Sequence, residues 1–112
     1  MKYLIGYSGL DDYWNYQIIE CKDDTEASYI AWEEACNVYE RYIGSNGIRD
    51  IQDIIYEEDC LEKEALKIFQ EDREMWIDYF IESDVNNKIK ELIKENSINS
   101  EKEIINYENM CN

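Results

Sequence analysis

The first twenty residues alternate between apolar and polar positions in a way that predicts two β-strands. Residues 3–7 form an apolar run that ends in the turn-forming segment 8–12. In the next run, residues 13–21, alternation places Trp14, Tyr16 and Ile18 on one face of a strand. Two such runs joined by a short turn predict an antiparallel hairpin.

An amphipathic helix is predicted after the hairpin. Segment 23–25 supplies helix-start residues, and apolar positions then recur every three or four residues until about Ile43. These positions are Ala27, Ala31, Ala35, Val38 and Tyr42. Gly44 and Gly47 are expected to end the helix and turn the chain.

Two further helices and a third strand are predicted in the middle of the chain. A short helix begins near Asp50, and a capping box of Asp59 and Glu62 is expected to start a longer one. The inner face of the longer helix consists of Leu61, Ala65, Ile68 and Phe69. Residues 76–82 are open to two interpretations, a continuation of this helix or a strand. Their aromatic and β-branched side chains favour a strand that returns to the hairpin.

The end of the chain predicts a helical extension. Its apolar stripe consists of Val85, Ile89, Leu92 and Ile93. Segment 100–103 has a capping-box pattern that is expected to start a final short helix reaching towards Met110. Residues 1–83 contain 21 acidic and 7 basic side chains, whereas residues 84–112 contain 6 and 4. The chain is therefore expected to divide into an acidic domain, 1–83, and a C-terminal extension, 84–112.

These elements predict an α+β fold. A small antiparallel sheet, made of the hairpin and the strand near 76–82, is expected to pack against three helices and to be followed by one or two more. No run approaches the roughly 20 apolar residues of a membrane-spanning helix, and the start of the chain lacks a signal-peptide pattern. We therefore expect a cytoplasmic location and no membrane partner.

Charge limits the functions that this fold can serve. The chain has 27 acidic and 11 basic residues, no histidine and a net charge of −16. Such a surface repels phosphates, so direct nucleic-acid binding is not expected. The lack of histidine removes the commonest general base and metal ligand. We therefore expect a binding protein, not an enzyme, with no metal or other cofactor.

Eight carboxylates are concentrated within 18 residues of the two middle helices. This acidic array consists of Glu57, Glu58, Asp59, Glu62, Glu64, Glu71, Asp72 and Glu74. Helix positions three or four apart lie about 5–6 Å from one another, so the array can imitate a row of phosphates and bind the basic groove of a nucleic-acid-binding protein. The alternative is an ordinary solvated helix face. Secondary contacts are expected from Glu33, Glu34, Glu40, Trp14 and Tyr16.

Three segments resemble small acidic proteins of phages and mobile elements. They are residues 42–50 (YIGSNGIRD), 57–59 (EED) and 68–79 (IFQEDREMWIDY). The likeness spans roughly residues 30–82 and transfers no functional residue. In its small size, acidity and aromatic content the chain also resembles anti-CRISPR proteins, many of which occupy the DNA-binding groove of an effector nuclease. The resemblance implies an inhibitor of host defence that binds a CRISPR effector in a bacterial cytoplasm.

Two other functions remain open. Ten Tyr, three Trp and two Phe exceed what a small core encloses, which favours a phage accessory or assembly protein that forms a homodimer through an aromatic surface. Alternatively, Glu20 and Lys22, preceded by Asp11 or Asp12, resemble the D…ExK site of metal-dependent nucleases, in which carboxylates bind magnesium. The match is short, and an acidic surface repels the substrate of a nuclease.

Overall fold

The computed structural model describes residues 1–10 and 13–106 and shows a β-sheet with helices on both faces. The strands are β1 (Lys2–Ser8), β2 (Asn15–Glu20), β3 (Asp78–Glu82) and β4 (Ile105–Asn106). The helices are α1 (Asp24–Arg41), α2 (Ile51–Glu58), α3 (Glu62–Trp76) and α4 (Val85–Lys94). The predicted α+β class is confirmed, as are the hairpin and the strand near residues 76–82. Within the described residues, no helix is both long enough and apolar enough to cross a lipid bilayer.

Strand β1 lies inside the sheet, whose strand order is β3-β1-β2-β4. It pairs antiparallel with β2 and with β3, so that Ile5 lies opposite both Gln17 and Ile81. Strand β4 adds a two-residue parallel pairing beside β2. Because β1 side chains alternate between the two faces of the sheet, both faces present apolar residues that need a cover.

Helix α1 covers the first face. Tyr3, Ile5 and Tyr7 of β1 form a buried cluster with the alanines of α1, which are fully buried. Small alanine side chains allow the helix to lie close to the sheet. The helix begins as predicted, because the side chain of Asp23 accepts a hydrogen bond from the backbone N–H of Glu26.

The segment after residue 83 covers the second face. Leu4 of β1 is fully buried there, in a cluster with Ile89 and Leu92 of α4 and with Ile98 and Ile104. The division of the chain at residue 83 predicts that residues 1–83 fold without residues 84–112, and this stays a prediction. The shared core argues against it, because removal of the extension exposes Leu4.

Helices α2 and α3 form an antiparallel hairpin against the C-terminal half of α1. Ile54 of α2 and Ala65 and Phe69 of α3 are buried together with Tyr39 of α1. The rings of Tyr39 and Phe69 meet edge to face, with their centroids 5.8 Å apart. The hairpin therefore reaches the sheet mainly through α1, and its opposite side is left for solvent.

Two predicted helix starts differ from the structure. Asp59 is left-handed (φ 50°, ψ 53°) and ends α2, while α3 follows Leu61 with no side-chain cap. An aspartate in this conformation closes one helix and cannot cap the next. The predicted C-terminal helix is a single 3-10 turn, Glu101–Glu103, which leads into β4. The part of that prediction near Met110 lies outside the described residues.

Candidate protein-binding surface

One arginine binds three of the eight carboxylates of the acidic array. Arg49 donates hydrogen bonds to Glu57 (3.0 Å), Glu58 (3.1 Å) and Asp72 (2.9 Å). The carboxylates raise the pKa of Arg49, with Asp72 as the largest influence. These charge-assisted contacts tie α2 to α3. Glu57, Glu58 and Asp72 therefore serve the fold and are only partly available to a partner.

A second group of carboxylates points away from the core. Glu64, Glu71 and Glu74 are exposed on α3, on the side of the helix opposite the buried Ala65 and Phe69. Lys63 and Lys67 are exposed on the same side, and Lys67 lies three residues after Glu64 and four before Glu71. This outer face of α3 is therefore acidic but not an uninterrupted row of negative charges.

The tip of the α2–α3 hairpin combines the last two array residues with apolar side chains. Asp59 and Glu62 are exposed there, and Glu62 stands in the first turn of α3, where the helix dipole favours a carboxylate. Leu61, which the apolar pattern predicts on the inner face of α3, precedes that helix and is 73% exposed. Tyr56 is 89% exposed. The sequence analysis missed Tyr56, although its position two residues after the buried Ile54 places it on the outer face of α2.

One of the predicted secondary carboxylates adjoins the array. Glu40 of α1 forms an ion pair with Arg73 of α3 at 3.7 Å. The Arg73 guanidinium also lies over the ring of Trp32, 5.4 Å from its centroid, and the Trp32 indole donates to Glu74 at 3.3 Å. This chain of contacts joins α1 to the outer face of α3.

The other predicted secondary contacts lie elsewhere. Glu33 and Glu34 line a separate groove between α1 and β2. Trp14 and Tyr16 approach the ring of Phe80, with centroid distances of 5.9 Å and 6.2 Å, and Tyr16 and Phe80 pack on the α4 side of the sheet. The structure does not bring these four side chains to the acidic array.

An apolar groove between α1, α2 and α3 adjoins the carboxylates. It has a volume of about 490 Å³. Its walls contain Ile43, Ile51, Leu66 and Phe69, and its rim contains Glu40, Asp50, Gln52, Gln70 and Arg73. Leu66 is 45% exposed. The sequence analysis missed this groove because Leu66 falls outside the apolar stripe that defined the inner face of α3.

The residues of the nuclease alternative do not form a metal site in the part of the chain that the structure describes. Within residues 1–10 and 13–106, no group of three or more Cys, Asp or Glu side chains could hold a metal ion. Glu20 accepts a hydrogen bond from the N-terminal amine at 2.8 Å, and Lys22 is exposed beyond the end of β2. Asp11 and Asp12 lie outside the described residues.

The α2–α3 hairpin and the adjoining end of α1 therefore combine exposed carboxylates with exposed apolar side chains. Surfaces that bind proteins commonly pair an apolar centre with a polar rim. This surface has to be interpreted from its own chemistry, because comparisons of the chain with protein-family models, curated proteins and solved structures found no match.

Proposed function

We propose that this protein binds a basic, nucleic-acid-handling protein, specifically a CRISPR effector, and inhibits it by competing with DNA or RNA. The observation that supports the proposal is the net charge of −16 together with the exposed carboxylates on the outer face of α3. A groove that holds phosphates is lined with Lys and Arg, and these side chains pair equally with carboxylates.

The carboxylates of the array contribute unequally in this proposal. Glu57, Glu58 and Asp72 already pair with Arg49, so a partner has to compete for them. Glu64 and Glu71 are exposed on α3, and Glu74 is exposed there too but accepts a hydrogen bond from Trp32. Exposed pairs of this kind act mainly on the association rate and are screened by salt.

Apolar side chains near the carboxylates supply binding energy that exposed charge pairs do not. Tyr56 and Leu61 at the hairpin tip are largely exposed, and Leu66 is half-exposed in the groove. Binding energy at protein interfaces is concentrated in a few apolar or aromatic anchors that lose their water. The proposed interface therefore has an apolar centre at the hairpin, surrounded by carboxylates that attract the basic partner.

The test replaces three outer carboxylates together, as Glu64→Gln, Glu71→Gln and Glu74→Gln. Purified CRISPR effector–guide complexes are mixed with the protein, and their binding to target DNA is measured by mobility shift. We expect the unmodified protein to reduce DNA binding, and the triple variant to do so at least about tenfold less well, with a shallower salt dependence. The matched control removes three exposed charges elsewhere, at Glu91, Glu95 and Glu101, and should inhibit normally.

Two results would contradict the proposal. The first is a triple variant that binds the effector as tightly as the unmodified protein at both low and high salt, which would make the acidity a solubility feature. The second is the absence of any effect on DNA binding across effectors of different types.

Self-association is a second candidate, favoured by the free edge of the sheet. In the described residues β3 is an edge strand, and Tyr79 on it is 40% exposed. An edge strand offers unpaired backbone groups to a second copy. Asp78 and Glu82 at its two ends, and the net charge, oppose this pairing. Light scattering during size-exclusion chromatography measures the molar mass in solution. A monomeric mass at high protein concentration would rule out the dimer.

A further inference from the structure

A second recessed site lies at the other end of the helical layer, away from the hairpin tip. It has a volume of about 420 Å³ and is lined by Leu10, Tyr13, Tyr42, Asn46 and Trp76. Three of these five side chains are aromatic, and none carries a charge. Tyr13 is 65% exposed, so the pocket is open to the surface on that side.

The ends of two helices position two of the three aromatic side chains of this pocket. Tyr42 is the residue that ends α1, and Trp76 is the last residue of α3. Asn46 follows in a turn where it adopts a left-handed conformation, φ 54°. Backbone hydrogen bonds from Ser45 to Tyr42 (3.0 Å) and from Ile48 to Ser45 (2.9 Å) hold this turn. These bonds fix the Tyr42–Asn46 side of the pocket.

Two helix ends and the net charge act on the pocket in favour of a cation. The C-terminal ends of α1, with 18 residues, and of α3, with 15 residues, both border it, and the basic residues of their last turns, Arg41 and Arg73, offset part of this effect. Each helix C-terminus carries the equivalent of about −0.5 charge, and its effect is confined to the last turn, where Tyr42 and Trp76 stand. The net charge of −16 acts in the same direction. Aromatic ring faces are themselves negative and attract cations.

Elsewhere in the chain, aromatic rings already hold the protein's own cations. The Arg73 guanidinium lies 5.4 Å from the centroid of the Trp32 ring, and the Lys88 ammonium lies 4.7 Å from that of Phe80. The described residues that line the Tyr13–Tyr42–Trp76 pocket include no such cation. Among the described residues, the rings of this pocket are therefore not stacked on a cation of the protein itself.

We propose that this pocket binds the guanidinium group of an arginine side chain that a basic partner protein presents. Arginine suits it better than lysine because the guanidinium is planar, stacks on aromatic rings and gives up its water more easily. The Asn46 side chain on the rim can accept one of its N–H groups. The source of the arginine rests on the proposed function, whereas the affinity of the pocket for guanidinium does not.

The test uses the full chain and the peptide acetyl-Gly-Arg-Gly-amide, followed by NMR of the three tryptophan indole N–H signals. Trp→Phe variants at positions 14, 32 and 76 assign these signals. The arginine peptide should shift the Trp76 signal in a saturable way. A peptide with citrulline, which has nearly the same shape but no charge, should bind roughly two- to fivefold more weakly.

Variants at Tyr13 separate the ring from its hydroxyl group. Tyr13→Leu should weaken arginine-peptide binding roughly two- to fivefold, as expected for one exposed cation–π contact, and Tyr13→Phe should bind normally. Tyr29→Leu is the matched control, since Tyr29 is 59% exposed on α1. Equal binding of the citrulline peptide, or equal effects of Tyr13→Leu and Tyr29→Leu, would overturn the proposal.

The pocket and the proposed function can fail separately. The triple variant at Glu64, Glu71 and Glu74 leaves the pocket intact, so it should still show the Trp76 shift with the arginine peptide. A normal Trp76 shift without inhibition of any effector retains the pocket and rejects the function. Inhibition of an effector without a Trp76 shift retains the function and rejects the pocket.

Discussion

Arg49 contributes to the stability of the α2–α3 hairpin by pairing with Glu57, Glu58 and Asp72. Arg49→Gln leaves these three negative charges close together without a cation. The side chain of Arg49 is 25% exposed, so solvent screens part of the effect. We expect a loss of about 1–2 kcal/mol in the free energy of unfolding, measured with urea. The control is Lys67→Gln, on the exposed face of α3, which should change the free energy of unfolding by less than about 0.5 kcal/mol. Equal losses in the two variants would show that the Arg49 contacts do not stabilise the fold.

Tyr3 makes stability depend on alkaline pH. Its hydroxyl donates to Asp24 at 2.6 Å, and this hydrogen bond, followed by burial, raises the pKa of Tyr3 from 10.0 to about 12. The folded state retains this proton when the unfolded state has lost it. The contribution of this hydroxyl to the free energy of unfolding is therefore complete below pH 10 and disappears as pH rises to about 12. We expect the free energy of unfolding, measured with urea, to fall less between pH 9 and pH 11 in Tyr3→Phe than in the unmodified protein. An equal fall with pH in both proteins would refute this role.

At the scale of elements, α4 is expected to be part of the core. Leu92 is 3% exposed beneath the sheet, whereas its neighbour Ile93 is 37% exposed. Leu92→Ala should lower the free energy of unfolding by about 2–4 kcal/mol, because it leaves a cavity next to Leu4. Ile93→Ala, on the same helix, should cost less than about 1.5 kcal/mol. Both values are measured by thermal unfolding. If Leu92→Ala and Ile93→Ala lower the free energy of unfolding by the same small amount, α4 is not part of the core, and residues 1–83 form the stable unit that the charge distribution predicts.

Hydrophobic periodicity predicted most helices and strands but not what covers each apolar face. The stripe containing Ile89 and Leu92 indicated the helix α4, yet nothing in the stripe identifies the α4 side of the sheet as its partner. Strand β4, Ile105–Asn106, has two residues, too few to show alternation. Its pairing is decided by the edge of β2 that the fold leaves open, which is tertiary information.

The candidate surface could be predicted only in part for the same reason. Helical spacing correctly indicated an exposed group of carboxylates around Glu64 and Glu71. The contacts of Arg49 reach residues 8, 9 and 23 positions away, which no local pattern reveals. The lining of the Tyr13–Tyr42–Trp76 pocket likewise comes from chain segments that meet only after folding.

Over the whole molecule, the layers follow the order α4, sheet, α1 and α2–α3 hairpin, and the principal extents are 50 × 30 × 25 Å. Most of the negative charge belongs to residues 1–83, which include the hairpin. In the proposed function, this elongated shape lets the acidic hairpin reach a partner while the sheet and α4 remain apart from it. Charge and shape therefore favour binding at the hairpin end.

The net charge should also make stability depend on salt. The Debye length falls from about 30 Å at 0.01 M to about 3 Å at 1 M, so NaCl screens the mutual repulsion of 27 acidic side chains. We expect the melting temperature to rise with NaCl.

The triple variant at Glu64, Glu71 and Glu74 should melt at the same or a higher temperature in low salt and gain less from NaCl, because it has lost three of the repelling charges. Lys67→Gln removes a positive charge and should gain more. A triple variant that melts lower at every salt concentration would show that these carboxylates stabilise the fold, for example through the hydrogen bond from Trp32 to Glu74. That result would remove the reason for assigning them to a partner.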